Sequence, residues 1–145
     1  MTGTADARRA VTLLWARVPD VDCKGLCAGA CGAVLYSRAE GELATEAHGL
    51  VPVATADGTC SALADGRCSI YDRRPMICRL YGAAADLRCG HGCRPRGGPL
   101  PAATARRLLD LAERHGGGID PRALASSAAY LERLVEEDKA AMAAR

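Results

Sequence analysis

Apolar residues near the start of the chain recur at the spacing of one helix face. They are Val11, Leu14, Trp15 and Val18. Residues spaced by i, i+3, i+4 and i+7 share one side of an α-helix, so the pattern predicts an amphipathic helix over residues 4–18. Thr4 is the predicted N-cap, and Pro19 ends the helix because a proline cannot continue it.

The last third of the chain has the same helical periodicity and contains no cysteine. One helix is predicted over residues 101–115, where a run of glycines stops it. A second helix is predicted to begin at Asp120-Pro121, an N-cap followed by proline in the first helical position. Its apolar stripe is Leu124, Ala128, Leu131, Leu134 and Val135. We expect the two helices to form an antiparallel pair, used for packing or as a partner surface.

Between these helices the apolar runs are short. Three runs predict short strands, at residues 33–36, 50–53 and 68–71. The polar segment 37–49 predicts a hairpin loop or a surface excursion, in which His48 is a solvated loop residue.

The sequence after residue 53 contains several residues that favour turns and helix caps. Asp57-Gly58 and Asp65-Gly66 predict turns on either side of Cys60. Asp72 is predicted to N-cap a short helix that carries Cys78 and ends at Gly82, and residues 83–99 are expected to be irregular.

The composition suggests what holds the middle of the chain together. The 145 residues are the size of one domain and include no Phe, one Trp and four Tyr, so the core has few large side chains. We expect a metal to supply the missing stability. The predicted fold is a small α+β or irregular metal-centred domain. It has a loop-rich cysteine core with short strands, flanked by an N-terminal helix and a C-terminal helix pair. The single domain, 1–145, divides into residues 4–18, 19–99 and 100–145.

The charge of the chain excludes two classes of partner. The net charge is +2, with 19 basic and 17 acidic residues, too balanced to favour nucleic acid or an anionic membrane. No apolar run approaches the ~20 residues that cross a bilayer. Arg17 interrupts the apolar stretch that follows Arg8-Arg9, and no cleavage site follows, so we expect a cytoplasmic protein.

The eight cysteines carry the candidate chemistry. They are Cys23, Cys27, Cys31, Cys60, Cys68, Cys78, Cys89 and Cys93. A reducing cytoplasm disfavours disulfides, and thiolate is the ligand for zinc, copper(I) and iron–sulfur clusters. We predict that all eight bind metal, in two four-cysteine sites or in one site with spare ligands. A secreted disulfide protein and a set of reactive thiols are the alternatives.

The spacing of the cysteines bears on which metal they bind. Zinc ribbons usually carry C-x2-C pairs, whereas the short spacings here are all C-x3-C, at 23/27, 27/31 and 89/93. Closely spaced cysteines in glycine-rich loops are more typical of iron–sulfur clusters. An iron–sulfur cluster is therefore favoured over zinc.

Basic and aromatic residues surround Cys78 and Cys89. Arg74 and Arg79 bracket Cys78 and are predicted to bind the cofactor, because guanidinium groups offset the negative charge of thiolates. His91 is either a metal ligand or a loop residue beside the site. Four more residues have either a role at the site or a structural one: Arg73 and Arg88 (site charge or solvated face), and Tyr71 and Tyr81 (lids or core).

The run from Cys60 to Gly82 resembles the signature of one family. It contains Leu63, Gly66-Arg67-Cys68, Ile70-Tyr71, Arg74-Pro75 and Cys78-Arg79. The chain is similar here to the YkgJ family, described as a CxxCxxCC zinc- or iron-chelating domain. The resemblance covers residues 23–93 and implies metal chelation by these cysteines. Some members of the family are fused to, or work beside, methylation or redox enzymes, which implies a partner enzyme.

The chain departs from this family at its N-terminal cysteine cluster. The first three cysteines occupy the place of that cluster, which usually ends in two adjacent cysteines. Here Gly32 follows Cys31. One ligand position is left to be filled, and Cys89 or Cys93 is the candidate.

Three functions are compatible with these residues. The first is a metal-binding protein with a redox, accessory or structural role, whose partners are the metal ion or cluster and an enzyme. The second is a metalloenzyme with an open coordination position, although no paired carboxylates or Ser/His/Asp arrangement identify catalytic residues. The third is a zinc module for protein interaction.

Overall fold

A computed structural model describes residues 3–145, and within them the protein is a small α+β structure. Five α-helices accompany one two-stranded antiparallel sheet. The helices are α1 (Thr4–Trp15), α2 (Arg38–His48), α3 (Met76–Leu80), α4 (Ala102–His115) and α5 (Pro121–Ala143), and the strands are β1 (Leu63–Ala64) and β2 (Arg67–Cys68). Two short 3-10 turns, Ala28–Ala30 and Tyr71–Arg73, complete the elements. The predicted α+β class is therefore confirmed.

The main core lies where α1, α2, α3 and α4 meet. Small residues fill much of it, as the scarcity of aromatic residues predicts. Its buried members are Ala7, Val11, Trp15, Ala39, Leu43, Met76, Leu80, Ala84, Ala105, Leu108 and Ala112. A second, smaller cluster of Ala44, Ala62 and Ile70 adjoins Cys60 and Cys68. Cys60 and Cys68 therefore pack against buried apolar side chains.

The predicted N-terminal helix is confirmed, with different ends. Helix α1 begins one residue after Gly3, which is the N-cap in place of Thr4, and its last residue is Trp15. Val11 and Trp15 are buried, and the other two residues of the predicted stripe pack partly buried against the core. The periodicity identified the buried face because that face lies between two other helices.

Helix α2 replaces the loop predicted at residues 37–49, so that prediction is wrong. Ser37 caps the helix: the Glu40 backbone N–H donates to Ser37 Oγ (3.3 Å), and Glu40 Oε2 accepts from the Ser37 backbone N–H (2.8 Å). Gly49, at φ 71°, ends it. The buried face consists mainly of small residues with one leucine, Leu43, so the helix has no conspicuous apolar stripe. His48 lies at the end of α2, with Nε2 2.6 Å from Asp72 Oδ1, and is not a loop residue.

The predicted strands at residues 33–36 and 50–53 do not form. These segments are extended but meet other loops through single contacts, such as the hydrogen bond from the Asp120 N–H to the Tyr36 carbonyl (2.8 Å). The predicted strand at 68–71 is also wrong beyond Cys68, because Tyr71 begins a 3-10 turn.

The predicted turn at Asp65-Gly66 is confirmed as the link between β1 and β2. Both residues have positive φ, at 51° and 74°, the conformation of a tight turn between antiparallel strands. This hairpin brings Cys68 opposite Leu63.

Helix α3 begins later than predicted. Pro75 is its N-cap, and Asp72 lies in the preceding 3-10 turn, so Asp72 does not cap the helix. Proline requires extended backbone in the residue before it, which ends the 3-10 turn at Arg74 and delays the start of α3. Cys78 still lies on this helix, as predicted.

The two C-terminal helices form, but the predicted packing between them is wrong. Asp120 caps α5 and Pro121 is its first residue, as predicted. The predicted stripe of α5 is exposed, however: Leu124 is 55% and Leu131 59% accessible. Helix α5 packs with a different face, through Ser126, whose Oγ accepts from the Ala54 N–H (3.2 Å).

Other residues of α5 also anchor it over the loop around Gly58. Arg133 donates to the Thr55 carbonyl (3.1 Å), and the ring of Tyr130 covers Gly58 so closely that a Cβ there would lie 2.5 Å from it. None of the helices within residues 3–145 combines the length and apolarity of a membrane span.

One buried carboxylate joins three of the helices. Glu40 Oε1 accepts from Trp15 Nε1 (3.0 Å) on α1 and from the Met76 backbone N–H (2.6 Å) at the start of α3. Glu40 Oε2 accepts from the backbone N–H and the hydroxyl of Ser37, at 2.8 and 3.0 Å. The residue is 2% exposed. These four hydrogen bonds set the position of α3, and with it Cys78.

We expect Glu40→Gln to destabilise the fold by about 1.5–3 kcal/mol. The amide keeps the shape of the carboxylate, but its NH2 group must face a hydrogen-bond donor. Urea unfolding measures the change, and Glu113→Gln, an exposed residue on α4, is the matched control. Equal stability of the two variants would contradict the role assigned to Glu40.

The N-terminus of α5 is held by a buried ion pair that predicts a pH dependence. Burial acts to raise the pKa of Asp120, but its hydrogen bonds with Arg122 and the charge of that residue outweigh burial, and the pKa is lowered. The contribution to stability is therefore complete above the ordinary aspartate pKa of about 4. It is lost as the pH falls through the lower pKa of the folded state.

Asp120→Asn is expected to lower the free energy of unfolding by about 1 kcal/mol at neutral pH, since solvent screens the half-exposed Arg122. Asparagine can still cap the helix, so the loss reports the ion pair. Urea unfolding of both proteins at decreasing pH should show the difference shrinking at acid pH. A difference that stays constant would contradict the assignment.

Candidate metal centre

The eight cysteines are all free thiols, and they divide into two groups of four. The inner thiol group is Cys31, Cys60, Cys68 and Cys78. The outer thiol group is Cys23, Cys27, Cys89 and Cys93. The inner thiols share the lining of one cavity, and the outer thiols lie on two loops that contact each other. Cys27 and Cys31 also interact with each other, so they connect the two groups.

The inner thiol group is brought together by four different elements. Cys31 follows the first 3-10 turn, and its carbonyl accepts from the Cys60 N–H (3.3 Å). Cys68 is the last residue of β2, and Cys78 lies in the middle of α3. All four line one cavity of about 200 Å³, which Cys27 also reaches. Hairpin, helix and loops thus present thiols to a shared space.

Burial dominates the electrostatics of the inner thiol group. It raises the pKa of Cys78 to about 12, with further contributions from Cys60, Cys68 and Cys31, while Arg74 acts in the opposite direction. Burial also raises the pKa values of Cys31 and Cys60. These thiols are held protonated unless a cation compensates the charge of the thiolates.

The outer thiol group forms where two distant segments meet. Val21 and Pro95 pair as an isolated bridge, which aligns the loops that carry the two pairs of cysteines. The Lys24 backbone N–H donates to Cys93 Sγ (3.3 Å), and the Lys24 ammonium donates to the His91 carbonyl (3.1 Å). Burial, followed by Cys23, Cys31 and Cys89, raises the pKa of Cys27. Within this group Cys23 is exposed and Cys93 is buried, while Cys27 and Cys89 are intermediate.

Backbone N–H groups point at the sulfurs of both groups. Three of these contacts come from the residue two positions later: Gly25 to Cys23 (3.3 Å), Ala62 to Cys60 (3.4 Å) and His91 to Cys89 (3.4 Å). The backbone N–H groups of His91 and Cys93 lower the pKa of Cys89. Such donors stabilise thiolate and tune a metal that the sulfur binds.

The donor set fits a soft metal, although the sulfurs do not converge on one point. Within residues 3–145, no three Cys, His, Asp or Glu side chains are arranged to hold a single metal ion. Eight unpaired thiols with N–H donors directed at them are nevertheless ligands of the kind that zinc and iron–sulfur clusters take. The inner and outer thiol groups are the residues that would hold them.

The two arginines predicted to bind a cofactor lie in different places. Arg74 lines the inner cavity, with its guanidinium 3.8 Å from the centre of the Tyr71 ring. Arg79 instead lies over Trp15, 4.0 Å from the ring centre, and donates to the Arg74 carbonyl (2.8 Å). Tyr71 and Tyr81 both line the inner cavity.

His91 contributes its backbone to the outer thiol group. Its side chain is exposed, while its N–H and carbonyl contact Cys89 and Lys24. Arg88 is exposed and donates to the Ala85 carbonyl (3.2 Å).

Two residues that position the site were not predicted. Glu40 fixes the start of α3, and Lys24 links the two segments of the outer thiol group. The Ser37-x-x-Glu40 pattern is a capping box and could have located α2. No sequence signal marks Lys24, because its contacts depend on a distant loop.

Comparisons with protein-family models, curated proteins and solved structures found no match to this chain.

Mild oxidation of the metal-free chain is expected to form disulfides within each thiol group, beginning with Cys89–Cys93. A disulfide needs Cα atoms roughly 4.4–6.8 Å apart, so bonds report proximity. Peptide mapping by mass spectrometry identifies the pairs, and oxidation in denaturant is the control, in which the grouping should be lost. A predominant bond from Cys23 or Cys93 to Cys60, Cys68 or Cys78 would contradict the division.

Proposed function

We propose that this protein is a metal-binding protein whose inner and outer thiol groups each hold a metal centre. The observation that carries the proposal is that Cys31, Cys60, Cys68 and Cys78 line one cavity, while the other four cysteines lie on two loops that contact each other. Four thiolates complete a zinc site or an iron–sulfur cluster. Neither group needs a histidine, in keeping with the exposed side chain of His91.

An iron–sulfur cluster is the favoured occupant of the inner thiol group. In a four-thiolate zinc site each sulfur lies about 2.3 Å from one ion, so the sulfurs converge. The inner thiols instead surround a cavity of about 200 Å³. A cluster fills a larger space between its ligands than a single ion does, and it supplies electron transfer.

The residues around the two thiol groups differ, which suggests that the groups have different roles. Around the inner thiol group, Ile70 and Pro75 exclude water and Arg74 offsets negative charge. In the outer thiol group, the backbone N–H groups of Gly25 and His91 donate to the sulfurs of Cys23 and Cys89, and Cys23 is exposed. We infer a redox or accessory role in which the outer thiol group faces a partner.

The resemblance of residues 60–82 to the YkgJ family supports this proposal, and it adds a partner enzyme to it. We propose a cytoplasmic location, because a reducing compartment would keep these thiols available to bind metal.

Metal analysis after anaerobic purification tests the identity of the metal. We expect a coloured protein that contains iron and acid-labile sulfide. A colourless protein with a fixed ratio of zinc to protein would support metal binding but exclude an iron–sulfur cluster. A protein with neither metal would overturn the proposal.

Pairs of cysteine substitutions test the division into groups. Cys60→Ser is expected to remove about half of the bound metal, because one group loses a ligand. Adding Cys78→Ser should remove little more, since both residues belong to the inner thiol group, whereas adding Cys89→Ser should remove most of the remainder. Metal content per chain is the measurement, and Ser69→Ala, an exposed neighbour of Cys68, is the control. A further loss from Cys78→Ser equal to that from Cys89→Ser would contradict two separate centres.

A further inference from the structure

A second cavity, which has no cysteine in its lining but shares Arg74 with the inner cavity, lies between the end of α1 and the 3-10 turn at Tyr71–Arg73. Its volume is about 580 Å³. Binding sites for small molecules usually measure roughly 300–1,000 Å³, so this cavity has the size of such a site. Three arginines line it, together with two aspartates: Arg73, Arg74, Arg79, Asp20 and Asp72.

Arg79 forms a fixed wall of the cavity. Its guanidinium lies flat over Trp15, and it donates to the carbonyls of Arg74 and Asp72, both at 2.8 Å. Burial, and then the charge of Arg74, lower the pKa of Arg79 to about 10, so it is still charged at neutral pH. A planar cation held in this way loses little freedom when a ligand binds.

Arg73 supplies a donor without an acceptor. Within residues 3–145, its Nε is the buried side-chain nitrogen or oxygen that has no hydrogen-bond partner. The nearest carboxylate oxygen of Asp72 lies 3.9 Å away, beyond hydrogen-bonding distance. Because this nitrogen is covered by protein atoms, a ligand can reach Arg73 only through the rest of the side chain, which is 39% exposed overall.

The charges of the cavity favour an anion. Three guanidinium groups face two carboxylates, and Asp72 is already engaged by His48 Nε2 at 2.6 Å. We propose that this cavity binds a small molecule through its phosphate or carboxylate group, with the exposed part of the Arg73 guanidinium as a donor to it. Guanidinium groups match the geometry of both anions, and two or more can share one ligand.

Trp15 provides a direct readout, because it is the single tryptophan of the chain and lines the cavity. The full-length, metal-loaded protein is titrated with inorganic phosphate and, separately, with succinate, at an ionic strength held constant with chloride. We expect saturable change in Trp15 fluorescence with a Kd below about 1 mM for at least one of them. The anion that binds more tightly identifies the ligand class. No saturation by either anion would overturn the proposal.

Two substitutions with opposite expected effects on affinity test whether the anion binds in this cavity. Arg73→Gln should weaken binding about tenfold or more, because it removes a charged donor. Asp20→Asn should tighten binding about two- to fivefold, because it removes an opposing charge. Arg114→Gln, an exposed residue of α4 outside the cavity, changes the net charge by the same amount as Arg73→Gln and should leave the Kd unchanged.

The possible results distinguish the anion-binding proposal from the metal-binding proposal. If Arg114→Gln weakens binding as much as Arg73→Gln, general charge attracts the anion and the site is rejected. If Arg73→Gln fails to fold, the tightening expected from Asp20→Asn still decides the matter. Arg73→Gln should retain the metal content of the wild-type protein, so failure of the anion site and failure of the metal proposal give different results.

Discussion

The buried carboxylate of Glu40 is the interaction on which the arrangement of the helices depends. A carboxylate taken out of water is costly unless its oxygens are fully hydrogen-bonded, and here both oxygens accept two bonds each. The donors come from α1, from the cap of α2 and from the first residue of α3. Because Cys78 lies two residues beyond Met76, Glu40 determines where this thiol of the inner group is placed, although the two residues are distant in sequence and lie on different helices.

The two thiol groups are alike in composition but not in surroundings. Apolar side chains and burial around Cys78 raise its pKa, whereas backbone N–H groups lower that of Cys89. Thiols with such different environments would bind and release a metal at different pH values, since metal binding displaces a proton from each of them.

Much of the periphery could be predicted from sequence, and much of the centre could not. Helix α1, the Asp120-Pro121 start of α5 and the Asp65-Gly66 turn all depend on local signals, and all are present. Helix α2 was missed because its buried face is made of small residues, which periodicity of large apolar side chains does not detect. The face of α5 that packs was also missed, since Tyr130 and Ser126, rather than the leucines, meet the neighbouring loop. The division of the cysteines depends on contacts between distant segments: Cys27 and Cys31 are close in sequence yet belong to different groups.

The pairing of Val21 with Pro95 brings together the two ends of the long segment that contains all eight cysteines. Every cysteine of the inner thiol group lies between Cys27 and Cys89 in sequence, so the outer thiol group encloses the inner one. Metal held by the outer thiol group would act as a cross-link around a long loop, which restricts the unfolded chain more strongly than a short loop does. An inner metal centre would not require that loop to be closed, whereas an outer metal centre would close it.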